Sequence, residues 1–386
     1  MNNGDILNMD TSTDELIRLR HKLHQHPELS GEEHDTAQLF YEKLKALNPD
    51  ELYFNLGGGG LAAVFSGSEP GPTILFRTEL DALPIEETLD IPYRSKVKGV
   101  SHKCGHDGHM AIIYGLTQDI ANNRPKRGRV TLLFQPAEET GEGARAIVAD
   151  PNYSSLNPDF CFALHNLPGH PMGQVMVRAG AFTCASRGMV INFTGYTAHA
   201  AYPETGNSPA LALAELLQAF PKISSSIDKD ELIMTTTIHA IMGEPALGVA
   251  PADATFMVNL RSETNEGMEL LVSAAEQKVK TTAEHFGLEY KIEWTEIFDA
   301  NFNDEDCVNQ VVQAAELTGH GVRWLEEPFR WAEDFGAISA SAKGAMFAFG
   351  AGENNPQIHN SDYDFPDQLI DKGKSIFFEI YRNHLL

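Results

Sequence analysis

Several things are scarce in this sequence. Its 386 residues hold only four cysteines, Cys104, Cys161, Cys184 and Cys307, without the paired spacing of a disulfide framework. A reduced thiol state, as in the cytoplasm, is therefore expected. Basic side chains are outnumbered, 29 against 54 acidic ones, for a formal net charge of −25. That balance argues against nucleic acid or an anionic membrane as a partner. No apolar run approaches about 18 residues, so a membrane-spanning helix is not expected. The opening stretch "MNNGDILNMDTSTDELIRLR" lacks the basic start and apolar core of a signal peptide. Repeats and low-complexity linkers are missing too. What is present, 42% hydrophobic and 22% charged residues, is the composition of a soluble globular protein. The chain is long enough for two domains, each with its own core.

Residues 13–47 read as helical, with Ser/Thr/Asp caps in "TSTDELIRLRHKLHQHP" ahead of periodic Leu and Ile. Short strands apolar on both faces follow: "TILF", "RVTLLF", "DFCFAL" and, late in the chain, "GAMFAFG". Helical patterns at 108–121 and 142–149 lie between the first three. The alternation predicts an α/β fold, a mostly parallel sheet covered by helices. From 182 to 294 the pattern changes to strand–helix–strand–strand–helix–strand, a ferredoxin-like α+β order. The expected organisation is a main domain, 1–181 with 295–386, carrying an inserted module at 182–294.

Polar residues gather just past the predicted sheet strands. "FRTELDALPIEE", at 76–87, ends an apolar run in Arg77, Glu79 and Asp81. "RVTLLFQPAEET" brings Glu138 and Glu139, "DFCFALHNLPG" brings His165, and "SHKCGHDGHMAIIYGL" puts Cys104 and His106 in the turn before a helix. His359 lies in the polar loop "NPQIHNSDYDF". Each alone has a plainer reading. A loop His is usually polar surface, adjacent glutamates are usually solvated, a lone Cys is usually a buried thiol, and Asp107 can simply cap the following helix. Four segments ending at one sheet edge are harder to dismiss, because open α/β sheets bind ligands at their strands' carboxyl ends. A thiolate, imidazoles and a carboxylate suit zinc, with manganese, cobalt or nickel as alternatives. Of two neighbouring carboxylates, one can bind metal while the other stays free as a base.

The series "RHKLHQHPELSGEE", "DALP", "CGHDGH", "LLFQPAEETGEGA", "HNLPGHPMGQVMVRAG" and "EDF" resembles, nearly end to end and in order, the zinc-dependent exopeptidase-like amidohydrolases. That family includes hippurate hydrolase, N-acyl-amino-acid hydrolases and the auxin–amino acid conjugate hydrolases. The resemblance implies a catalytic domain with two divalent metals, and an inserted lid that also makes a homodimer. Carried over by position, it implies Cys104, His106, Glu139, His165 and His359 as metal ligands, with the Cys104 sulfur bridging. Glu138 becomes the general base, His199 of the lid a catalytic residue contacting the substrate carbonyl, and Arg261 a grip for a substrate carboxylate. Glu79, Asp81 and Asp107 are expected behind the ligands. Two positions depart from the family pattern: Glu79 stands where Asp is usual, and Gly248 where relatives have a substrate-holding Asn. The expected activity is hydrolysis of an amide in N-acyl amino acids or similar small molecules. The alternatives are a dipeptidase or carboxypeptidase, and a non-catalytic metal-bearing binder.

Overall fold

The computed structural model describes residues 13–227 and 231–386. Thr11 and Ser12, two of the expected helix caps, lie outside them. Helix α1 (Thr13–Gln25) buries Leu16, Leu19 and Leu23, and α2 (His34–Ala46) buries Ala37, Phe40 and Leu44. Those spacings of three and four put each set on one helical face. Helix α3 (His106–Asn122) is buried along nearly its whole length.

The chain divides into two compact units. The first comprises Met1–Gly180 (described from Thr13 on), Phe302–Glu326 and Ala337–Leu386. Its sheet has eight strands: β1 (Glu51–Leu56), β2 (Gly60–Ser66), β3 (Glu69–Glu79), β4 (Arg127–Gln135), β5 (Phe160–Leu167), β6 (Val175–Val177), β7 (Val322–Trp324) and β8 (Lys343–Gly350). Their order is β1-β2-β4-β3-β5-β8-β6-β7. The four central strands, β4-β3-β5-β8, run parallel to their neighbours, whereas β2 joins β4 and β6 joins β8 antiparallel. The sheet is thus mixed, with a parallel centre. Phe76, Phe162, Phe347 and Phe377 meet in its core, as expected for strands apolar on both faces.

Two strands run further than their apolar stretches suggest. β3 continues through Arg77 to Glu79, whose charges are buried and paired with each other. β5 contains His165, which lies opposite Ala348, instead of ending before it. Each strand goes on while one neighbour still supplies backbone partners, β4 for Arg77–Glu79 and β8 for His165, and polar side chains at its end do not stop it.

The second unit comprises Ala181–Asn301 together with Glu327–Gly336. Its sheet takes the order Ile233–Met242, Asp253–Ser262, Ala185–Thr194, Glu289–Phe298, all antiparallel. This is the strand order of a ferredoxin-like fold. The helices Ala210–Ile223 and Asn265–Phe286 bury Leu216, Phe220, Leu271 and Val279 against Ile191, Phe256 and Leu260. Among the described residues no helix is long and apolar enough to cross a membrane.

Candidate metal centre

The central strands of the first unit converge on one edge. β3 ends at Glu79 with Asp81 just beyond, β4 leads to Glu138 and Glu139, β5 carries His165, and the loop after β8 carries His359. Cys104 and His106 flank Gly105, which sits at φ +101 before α3. A side chain at Gly105 would also meet the Asn166 amide at 2.4 Å, so both backbone and space demand glycine there.

The imidazoles are oriented from behind. His106 Nδ1 donates to the Asp81 carbonyl at 2.9 Å and lies 3.3 Å from its carboxylate. His165 Nδ1 donates to the Asn166 carbonyl at 2.9 Å. Each bond fixes a tautomer whose Nε2 presents a lone pair, as a metal ligand requires. His165 Nε2 and His359 Nε2 each stand 3.3 Å from Cys104 Sγ. His359 Nε2 is also 3.8 Å from Glu139 Oε1. His106 Nε2 faces Glu138 Oε2 and Glu139 Oε1 at 3.9 Å each. Within these six residues three sets form: Cys104/His106/His165, Cys104/Glu139/His359 and His106/Glu138/Glu139. Donor atoms within each set lie within 4.8 Å of one another.

Electrostatics tells the same story. Burial raises the Cys104 thiol well above its ordinary value, and the nearby Glu139 and Glu138 carboxylates raise it further. Burial opposes charge on His106, but the Asp81 hydrogen bond and the carboxylates of Glu79, Asp81 and Glu139 push it up to about 10. At His106, therefore, the surrounding carboxylates favour positive charge, whereas burial holds His165 well below, and His359 below, the ordinary imidazole value. His106 Nε2 is buried without a hydrogen-bond partner. A divalent cation fits that atom and this mixture of sulfur, imidazole and carboxylate donors.

Glu79 is buried, paired with Arg77 and accepting from His109 Nδ1 at 2.9 Å. His109 Nε2 in turn accepts from the Asn166 backbone N–H at 3.3 Å. The chain Arg77–Glu79–His109 thus ends against β5 beside His165. Asp81 accepts from Ser30 Oγ and the Glu139 backbone N–H through Oδ2. Asp107 points into α1, accepting from Arg20 Nε and His24 Nδ1 at 2.8 Å each. That pair opens a buried network in which His24 Nε2 meets Glu87 at 3.0 Å and Lys103 Nζ donates to Glu87 at 2.7 Å. The sequence reading did not single out His109, although its spacing from His106 puts both on one face of α3.

His199 and Arg261 belong to the second unit. His199 is exposed, pairs with Val249 and accepts the Ala201 backbone N–H at Nδ1. Arg261 donates to the Arg330 carbonyl at 2.7 Å and lines a hollow with Thr236, Met257 and Asn259. Gly248 is exposed, and its carbonyl accepts from Ala200 N–H at 2.9 Å.

Residues 75–383 match the model of peptidase family M20/M25/M40. The chain is 30% identical to hippurate hydrolase of Campylobacter jejuni over 373 residues, covering 96% of this chain and 97% of that one. It is 31% identical to N-acetyldiaminopimelate deacetylase of Listeria innocua, covering 92% and 95%. Among solved structures it resembles the Bacillus subtilis YXEP protein, described as a dinuclear metal binding peptidase of the M20 family. That match has TM-score 0.79 and 25% identity, and covers 95% of this chain and 97% of that one. With four-fifths of its length in the family match and its ligand-type side chains gathered at one sheet edge, this chain belongs to peptidase family M20/M25/M40.

Proposed function

We propose that this protein is a metal-dependent amidohydrolase that removes the acyl group from N-acyl amino acids or similar small acylated amines. The observation that carries the reading is the cluster of Cys104, His106, Glu139, His165 and His359 with the Glu138 carboxylate beside it, in which Cys104, His106, His165 and Glu138 are buried, Glu139 is partly buried and His359 stands at the exposed side. The names of the two relatives, a hippurate hydrolase and an N-acetyldiaminopimelate deacetylase, support the substrate class. The dinuclear neighbour supports a pair of divalent ions, which Cys104 and the four other residues would hold, and their sulfur, imidazole and carboxylate donors suit zinc or manganese.

Held by those five residues, divalent ions would supply Lewis acidity and lower the pKa of water at the site from about 15.7 towards about 7. Glu138 takes the proton from the water as its oxygen bonds to the acyl carbon. When the C–N bond breaks, Glu138 returns that proton to the departing amine. His199 donates to the oxygen on which negative charge develops. Arg261 offers a fork of N–H donors to the substrate carboxylate. Asp81 and Asn166 keep the imidazoles oriented throughout.

The second unit acts in this reading as a lid and dimerisation domain. Its edge strand Ile233–Met242 exposes Ile238, Ile241 and Met242, and its helix Ala210–Ile223 exposes Leu211 and Leu217. Such an edge is a ready partner for a second copy. A cytoplasmic setting belongs to the same proposal, supported by four buried cysteines, all free.

The test is a panel of N-acyl amino acids and dipeptides offered to protein loaded with zinc or manganese. Release of free amine should be fastest from an N-acyl amino acid, and a chelator should abolish it. Preference for dipeptides would make the protein a peptidase. Binding of these compounds without turnover of any amide, metals in place, would make it a binder.

A further inference from the structure

Glu138 is useful as a base only if its carboxylate points into the cluster, and the turn that carries it has an unusual backbone. Ala137, the residue before it, has φ +50. Of the five other non-glycine residues at positive φ among the described residues, three are asparagines, which tolerate this region. Ala137 has no such side chain to compensate. It is nearly buried, and so is its backbone N–H, which must find a partner.

The partner is Glu33, whose Oε1 accepts from Ala137 N–H at 2.7 Å across 104 residues of sequence. Glu33 is 3% exposed and occupies the N-cap position of α2, yet its side chain makes no cap bond to its own helix. Glu28 does that work instead, accepting from Asp35 N–H at 3.0 Å and Thr36 N–H at 2.7 Å. The Glu33 carboxylate thereby reaches the distant turn, while also taking hydrogen bonds from the backbone of Glu33 itself and of Gly31. The other side of the turn is closed by Gly143 N–H, which donates to the Ala137 carbonyl at 3.0 Å. Glu139 is anchored separately, through its own N–H to Asp81 at 2.9 Å. The Ala137 clamp therefore bears chiefly on Glu138.

We propose that Glu33 is a positioning residue: it holds Ala137 in the left-handed conformation and so aims the Glu138 carboxylate. The proposal rests on the reading of Glu138 as the general base. It makes Glu33 act on turnover, with metal retention left to Asp81 and the ligands themselves.

The experiment compares Glu33→Ala, Glu33→Gln and wild type in metals per subunit, KM, kcat and hydrogen exchange of the peptide containing Ala137. Misplacing a reacting group by about 1 Å costs roughly 10²-fold in rate. Glu33→Ala should lose kcat by about that factor, keep wild-type metal content and KM, and exchange faster at Ala137. Glu33→Gln, whose amide oxygen accepts the same N–H, should behave as wild type. Wild-type kcat in Glu33→Ala, loss of metal in step with kcat, or equal damage in Glu33→Gln would each overturn the proposal. If Glu33→Ala does not fold, Glu33→Asp replaces it, because a carboxylate one methylene shorter withdraws the acceptor. The same pattern is expected, and wild-type kcat and exchange would overturn the clamp. A Glu138→Gln variant with full turnover would instead sink the base assignment, while the exchange comparison still reports on the clamp.

Discussion

Replacing Glu138 with Gln keeps the side chain's size and removes its ability to take a proton. Metal content and substrate binding should stay near wild type while turnover falls roughly 10²–10⁴-fold, the usual contribution of a positioned acid–base. Glu139→Gln should instead lower metal content, since Glu139 Oε1 lies 3.8 Å from His359 Nε2 and 3.9 Å from His106 Nε2. Elemental analysis beside a turnover assay separates the two phenotypes, and a swap would mean that the carboxylates exchange roles. Cys104→Ala removes the atom that stands 3.3 Å from two imidazoles, so metal and activity should fall together. At this scale the sequence was informative about residue types and much less so about their neighbours. His109, Asn166 and Glu33 support the cluster from α3, β5 and the start of α2, and nothing local marks an imidazole as the partner of a carboxylate 30 residues away.

Between elements, the buried network linking α1, the segment before α3 and α3 itself makes stability depend on pH. Burial works against the Glu87 carboxylate, but hydrogen bonds from His24, Lys103 and the Ser95 backbone depress it to about 2. A depressed carboxylate stabilises the fold above its unfolded value, near 4.5, and that contribution is lost as pH falls towards about 2. His24 has the opposite sign: burial opposes its charge, bonds to Asp107 and Glu87 raise it, and its contribution disappears as pH rises through the raised value. Urea midpoints should therefore drop for wild type between about pH 5 and pH 3. Glu87→Gln should start lower at neutral pH and decline less steeply over that window. Parallel curves for the two proteins would show that Glu87 is not depressed in the native state. β3 shows why such a network is hard to read from the chain. "FRTEL" reads as an apolar run ending in alternating charges at the rim of the site, yet Arg77 and Glu79 continue the strand as a buried pair. A burial cost of that kind is met only by partners brought from elsewhere in the fold.

For the molecule as a whole, the proposed homodimer makes a prediction that neither subunit can fulfil alone. If the lid histidine serves the neighbouring site, Glu138→Ala and His199→Ala subunits, each inactive, should regain part of the activity when mixed. One hybrid site then combines an intact Glu138 with His199 of the partner subunit. Subunit exchange is verified first, by labelling; no recovery after exchange would mean that each lid serves its own subunit or that His199 is dispensable. Charged substitutions at Ile238 and Ile241, both exposed on the edge strand, should shift the protein to monomer in sedimentation without unfolding it.

Periodicity and motif order alone carried a good deal: the α/β class, the ferredoxin-like succession of strands and helices over 182–294, and the types of side chain assembled at the sheet edge. These are legible because they follow from local rules, alternation in strands, spacing of three and four in helices, and strand ends that deliver polar groups. Tertiary structure decided what depends on distance through space. It set the mixed edges of the large sheet, the burial of Arg77 and Glu79, the turning of Asp107 towards α1, and the reach of Glu33 to Ala137. A strand's last paired residue, or a carboxylate's partner, is chosen by whichever group packing brings within about 3 Å, and sequence separation says little about which group that is.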